Sequence, residues 1–135
     1  MILTTADEKM TVDIGTSDTW KALYSTIVSC IENSKEKYPR AIQLLETGKC
    51  ISNQGYESAR EFNHIRDELS NYKPDQAVYD IDNPELIAPW KKDLSPVITS
   101  CANLFVTADG KDLLFEIVSI LCYAEICKVN ILSMD

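Results

Sequence analysis

Histidine occurs once, as His64, in this chain of 135 residues, glycine only four times, and the five cysteines include no C-x-x-C pair. A single imidazole excludes a histidine-rich metal centre within one chain. It also leaves His64 as the sole histidine base for a serine or cysteine nucleophile, and no G-x-S-x-G context accompanies any serine. The odd cysteine count and the spacing of Cys30, Cys50, Cys101, Cys122 and Cys127 argue against a zinc site or a disulfide framework. Cys30 and Cys122 fall at apolar helical positions and read as small buried hydrophobes.

Basic residues are also few, thirteen against twenty-one acidic ones, for a formal net charge of −8. Nucleic acid would be repelled, because its binding depends on Lys and Arg contacts to phosphate. A basic protein would be attracted, chiefly through a faster association; the same charge also serves solubility. No apolar run is long enough to span a bilayer, and Met1-Ile2-Leu3 passes at once into Thr4, Thr5, Ala6, Asp7 and Glu8 without the basic start and apolar core of a leader. The expected location is the cytoplasm, with no membrane partner.

What is present is ordinary globular usage, 45% hydrophobic and 25% charged, in a length that suits one domain over residues 1–135. The organising stretch is Asn103 to Glu125. Leu104 to Thr107 reads as a short strand, Asp109 and Gly110 as a turn, and Lys111 onward as a helix apolar on nearly every side, with Asp109 as N-cap. Such a helix is expected at the centre, between a sheet and other helices.

Residues 1–9 are open between a frayed end and an edge strand. Met10-Thr11-Val12-Asp13-Ile14 alternates as a half-buried strand closed by Gly15. Trp20, Leu23, Tyr24, Ile27, Val28 and Ile31 recur at helical spacing over Thr19 to Asn33, and Lys35 to Lys37 reads as a solvated break. Pro39 opens a second helix that Gly48 stops. A third runs from Asn53 or Gln54 and ends before Pro74, with Glu57, Arg60, Glu61, Asp67 and Glu68 facing solvent. Ala77 to Ile81 reads as a strand, residues 82–96 as a proline-punctuated loop, and Val129 to Leu132 as a last strand parallel to the one before the central helix. The expectation is an α+β single domain, a mixed sheet of about four strands packed against about four helices.

No constellation for catalysis stands out. Glu61 and His64 form E-x-x-H on a helix, but a di-iron bundle needs two such motifs and further carboxylates, so no metal or cofactor is expected. Asp109-Gly110-Lys111-Asp112 lacks a glycine-rich phosphate loop and carries carboxylates that would repel an anion. The long loop is the candidate functional surface, because loops of that length in small domains are commonly binding elements. Its acids Asp80, Asp82, Glu85 and Asp93 could face a basic partner or converge as a carboxylate site, and Trp90 is either an anchor on the core or an interface hot spot.

Asp13-Ile14-Gly15 with Ser17-Asp18, Tyr24-Ser25-Thr26-Ile27, Tyr38-Pro39, Leu45 with Gly48-Lys49, Ile65-Arg66-Asp67-Glu68-Leu69, Val78-Tyr79-Asp80-Ile81, Pro89-Trp90 and Asn103 to Leu113 occur in an order and spacing that resembles the bacterial immunity protein 70 family, found with polymorphic and contact-dependent growth-inhibition toxins. The resemblance spans roughly residues 11–125. It implies no catalytic residues; it implies an antitoxin that neutralises a cognate toxin by stoichiometric binding, and many such toxins are nucleases with basic active sites. Partner-binding residues are then expected at Asp80, Asp82, Glu85, Trp90 and Asp93. The competing classes are a small carboxylate-dependent enzyme and a general protein-interaction module.

Overall fold

The computed structural model describes residues 1–90 and 94–134. In chain order the elements are β1 (Ile2–Thr5), β2 (Thr11–Asp13), α1 (Ser17–Cys30), α2 (Ser34–Lys37), α3 (Pro39–Thr47), β3 (Lys49–Cys50), α4 (Gly55–Leu69), α5 (Leu113–Cys127) and β4 (Ile131–Met134). Short 3-10 turns occupy Ser52–Gln54 and Pro74–Gln76. The class is α+β, with four strands and four longer helices. Among the described residues no helix is long and apolar enough to cross a membrane.

The sheet has the order β2-β1-β4-β3 and is antiparallel at every pairing, which corrects the expected mixed sheet. Residues 1–9 supply an inner strand and its turn, so the N-terminal stretch is neither frayed nor an edge. Leu3 pairs with Val12 on one side and Ser133 on the other, and Thr5 with Ile131. By the two-residue period, Leu3, Val12, Cys50 and Ile131 face the helices and are buried, whereas Thr11, Asp13, Lys49, Leu132 and Met134 lie on the open face. The β1–β2 turn is tied down by Asp7, whose carboxylate accepts from Thr5 Oγ1 at 2.6 Å, Lys9 N at 3.1 Å and Tyr123 Oη of α5 at 3.0 Å.

Two expected strands are not strands, each because its backbone groups are taken elsewhere. Thr107 N–H donates to Lys111 O at 2.8 Å and Leu113 N–H to Phe105 O at 3.0 Å, so residues 105–113 fold back on themselves and leave only a Val106–Asp112 bridge. With no strand there, the parallel crossover does not arise. The same turn moves the helix start: Thr107 Oγ1 and Lys111 engage Asp109, and Asp112 caps α5 by accepting from Phe115 N at 3.2 Å. Residues 77–81 are held on α1, as described below. The expected break at Lys35 to Lys37 is the short helix α2.

α5 buries Leu113, Leu114, Ile117, Ile120, Leu121 and Ala124, while Phe115 and Ile126 are 55% and 66% exposed, so its all-round apolarity overstates its burial. Its main neighbour is α4, whose inner side carries Ala59, Phe62, Ile65 and Leu69. At their crossing a Cβ on Gly55 would stand 2.4 Å from Leu121 O, so only glycine permits the approach. Gly48, at φ +69°, closes α3, and a Cβ there would meet Ser133 Oγ at 2.2 Å.

Helix starts are satisfied by carboxylates from other helices. Glu61 of α4, only 6% exposed, accepts from Arg40 N at 2.9 Å and Ala41 N at 3.0 Å, the first-turn donors of α3. Glu125 of α5 accepts from Tyr56 N at 2.8 Å in the first turn of α4. Glu61 is therefore a buried cap and not a solvent-facing charge, while His64 is exposed on the outside of α4.

Glu61→Ala should cost about 2–3 kcal/mol, since two first-turn donors lose a charged acceptor, and Leu121→Ala about 2–5 kcal/mol as a core truncation. Urea unfolding checks both, and a Glu61→Ala cost under a few tenths of a kcal/mol would show that Glu61 does not cap α3. A second expectation concerns alkaline pH. Burial first, and the Glu68 carboxylate to which its hydroxyl donates second, push the Tyr38 phenol up to about 12 from 10.0. The folded state then keeps a proton that the unfolded state releases, so this stabilisation is complete below pH 10 and is lost as pH rises to about 12. Tyr38→Phe should flatten part of that loss in unfolding measured across this window, leaving the share of Tyr123, also pushed up to about 12.

Candidate functional site

The candidate surface begins with a pair of hydroxyls on α1. Ser25 and Thr26 are fully buried in an otherwise apolar helix face. Thr26 Oγ1 donates to Val78 O at 3.1 Å and accepts from Val78 N at 3.0 Å, and Ser25 Oγ accepts from Ile81 N at 3.0 Å. Residues 77–81 thus find side-chain partners on a helix in place of a neighbouring strand. That is why a β-like sequence stays outside the sheet.

Beyond this docked stretch the chain runs over the surface and is pinned again at Ala88, which is 6% exposed, and at Trp90. The indole of half-buried Trp90 packs edge-on against Tyr79 at 5.6 Å and Phe105 at 5.9 Å between ring centres. Of the two expectations for Trp90, the geometry is that of the anchor. Between these fixings the loop presents Leu86 at 49% and Ile87 at 74% exposure, and after the undescribed residues Val97 is 75% exposed.

Asp80 and Asp82 come together around Lys21 of α1, whose ammonium lies 3.3 Å from Asp80 Oδ1 and 3.1 Å from Asp82 Oδ2. The Asp80 side chain is mostly covered, at 13%, and that of Asp82 is open, at 72%. Asp80 also accepts from Asn83 Nδ2 at 3.2 Å and Asp82 N at 2.9 Å, which makes it the knot of the turn. The Asn83 amide first, then the Asp82 N–H and Lys21, hold its carboxyl below the usual range despite partial desolvation. Asp82 and then Asp80 raise the Lys21 ammonium in turn. Burial, and the Asp18 carboxylate beside it, push the Tyr79 phenol up.

Glu85 is exposed on the loop and does not join that pair. Asp93 lies outside the described residues. The predicted acids are therefore not a convergent carboxylate centre among the described residues: one ties the turn, one is half-shared with Lys21, and one stands free of the knot on the rim. No group of three or more His, Cys, Asp or Glu able to hold a metal ion is found among the described residues.

The concavities nearby are shallow. A hollow of about 190 Å³ under the loop is lined by Ala77, Val78, Tyr79, Asp80, Pro84, Leu86 and Ala88. A groove of about 410 Å³ between α1 and α3 is floored by Trp20, Tyr24 and Leu45 and flanked by Asp18, Lys21 and Glu46. Sequence reasoning missed Lys21, which sits on the polar side of α1, and the apolar tip Leu86-Ile87. The available signal was the buried Ser25-Thr26 pair, since small hydroxyls inside an apolar helical stripe need backbone partners.

Thr26→Val should remove both bonds to Val78 at nearly constant volume and cost about 1–3 kcal/mol. Hydrogen exchange at the Val78 amide should quicken while amides within α5 keep their order of protection; unchanged exchange would show that the stretch is held by something else.

No curated protein and no solved structure matches the chain. The family model of Immunity protein 70 does match, over residues 5–132. That match starts at the last residue of β1 and reaches into β4, so it takes in the helical core, the docked stretch and the loop together. A match over nearly the whole chain identifies it, and this protein belongs to the Immunity protein 70 family.

Proposed function

We propose that this immunity protein acts in the cytoplasm, neutralising a cognate secreted toxin by forming a stoichiometric complex with a basic, nuclease-type toxin domain through residues 82–90 of the long loop. One observation carries the reading. The loop is fixed at both ends by hydroxyl docking and by Trp90, yet offers exposed Leu86 and Ile87 beside the acids Asp82 and Glu85. A pre-ordered loop loses little entropy on binding, and apolar tips beside charges supply both burial and specificity.

The two kinds of residue have separable tasks. Acids on a chain of net charge −8 draw in a cation and raise the association rate. Apolar side chains that become desolvated hold the complex and govern its dissociation. Asp80, shared with Lys21 and the turn, serves the loop's shape more than its field. The family supplies the cognate toxin as partner; basicity, nuclease chemistry and the interface are this proposal's own.

The test uses the cognate toxin, expected as the product of the gene immediately upstream. Asp82→Lys with Glu85→Lys should slow association about tenfold at low salt and weaken its salt dependence. Leu86→Ala with Ile87→Ala should instead raise the dissociation rate about tenfold or more. Rates unchanged in both pairs would place the interface elsewhere. Cells that lack the chain yet tolerate the toxin equally well would reject the inhibitory role itself.

A further inference from the structure

Two cysteines far apart in sequence meet at one turn, away from the loop's exposed tip. The 3-10 turn Pro74–Gln76 is closed by Gln76 N–H donating to Lys73 O at 2.9 Å. Cys101 Sγ donates to that same Lys73 carbonyl at 3.2 Å, and Cys30 Sγ donates to the carbonyl of Gln76 at 3.6 Å. Carbonyls three residues apart in such a turn are separated by only about 6 Å, so both thiols are drawn to one small region. Tyr72 fixes their backbones as well: its hydroxyl donates to Cys30 O at 2.7 Å, and its carbonyl accepts from Cys101 N at 2.9 Å.

We propose that Cys30 and Cys101 form a reversible disulfide when the protein meets a low-molecular-weight disulfide oxidant, stapling the end of α1 to the segment in which the long loop returns to the core. The two thiols differ in access. Cys30 is half-buried, whereas Cys101 is fully buried. A dissolved oxidant reaches the more exposed Cys30 first, and Cys101 only through it. Cys30 is therefore the attacking sulfur and Cys101 the resolving one.

The step balances. The Cys30 thiolate attacks one sulfur of the oxidant, the S–S bond of the oxidant breaks, and one small thiolate leaves with the electron pair. The Cys101 sulfur gives its proton to the medium and attacks Cys30; the mixed S–S bond breaks and the second small thiolate leaves. Two protein thiols are oxidised to one disulfide, and one oxidant disulfide is reduced to two thiols. The crosslink encloses α2, α3, α4 and the long loop, so it restricts the unfolded chain over many residues.

The test uses the purified full chain and oxidised glutathione. Expected are an intact mass lower by two hydrogens, proteolytic peptides joined through Cys30 and Cys101, and a Tm raised by roughly 5–15 °C, all reversed by dithiothreitol. Cys127→Ser should change none of this, and Cys101→Ala should leave glutathione attached at Cys30. The proposal is overturned if the wild type stops at a glutathione adduct, if the joined peptides contain Cys50, Cys122 or Cys127, or if the native protein does not react. Because the mass readout needs no variant, a substitution that fails to fold does not weaken it.

Discussion

The crossing of α4 and α5 is the constraint from which the remaining arrangement follows. Gly55 lets the two backbones approach to a distance that no side chain would allow, and Leu121, Phe62 and Ile65 are then fully buried. Both helices also serve as acceptors for others: Glu125 of α5 closes the start of α4, and Glu61 of α4 closes the start of α3. A charged residue in such a core is tolerated because it meets otherwise orphaned backbone donors. Helix placement is thus fixed by apolar packing and by carboxylates that reach across helix boundaries.

On this frame the candidate surface is an irregular strip of turns laid over α1. Its attachment is polar and local, hydroxyl to backbone at Ser25 and Thr26, and aromatic at Trp90. Neither kind of attachment covers the strip's outer side. The arrangement leaves a short, pre-shaped run of apolar and acidic side chains without a deep cavity behind it, which suits contact with a protein surface better than enclosure of a small molecule. The membership in an immunity family and this geometry point in the same direction, although they are independent observations.

The sequence was most legible where pattern and burial share one cause. The periodic apolar positions of α1, α3 and α4 found their helices within a few residues, with Pro39 and Gly48 marking one helix's ends. Legibility failed where backbone groups had more than one available partner. Leu104 to Thr107 and Ala77 to Ile81 have strand composition, but their donors and acceptors are taken by residues 111–113 and by α1. Two carboxylates beside each other on α4, Glu57 and Glu61, look alike in sequence; one is exposed and the other caps a helix from inside the core. Among the loop residues, the position of the acids could be read, but not that Lys21 would draw two of them together.

By itself, the sequence determined the acidic balance, the α+β class and the principal helices, because these depend on composition and short-range periodicity that every residue contributes to independently, and it carried the family as a likeness to a known order of motifs. Only the tertiary structure decided the strand order, the antiparallel sheet, the cross-helix caps, the docking of residues 77–81 and the convergence of Cys30 and Cys101 on the turn at Pro74–Gln76. Each of those is a choice of partner between groups distant in the chain. A donor or a thiol looks the same in sequence whichever partner it takes, and the choice is made only when packing brings one of them within reach.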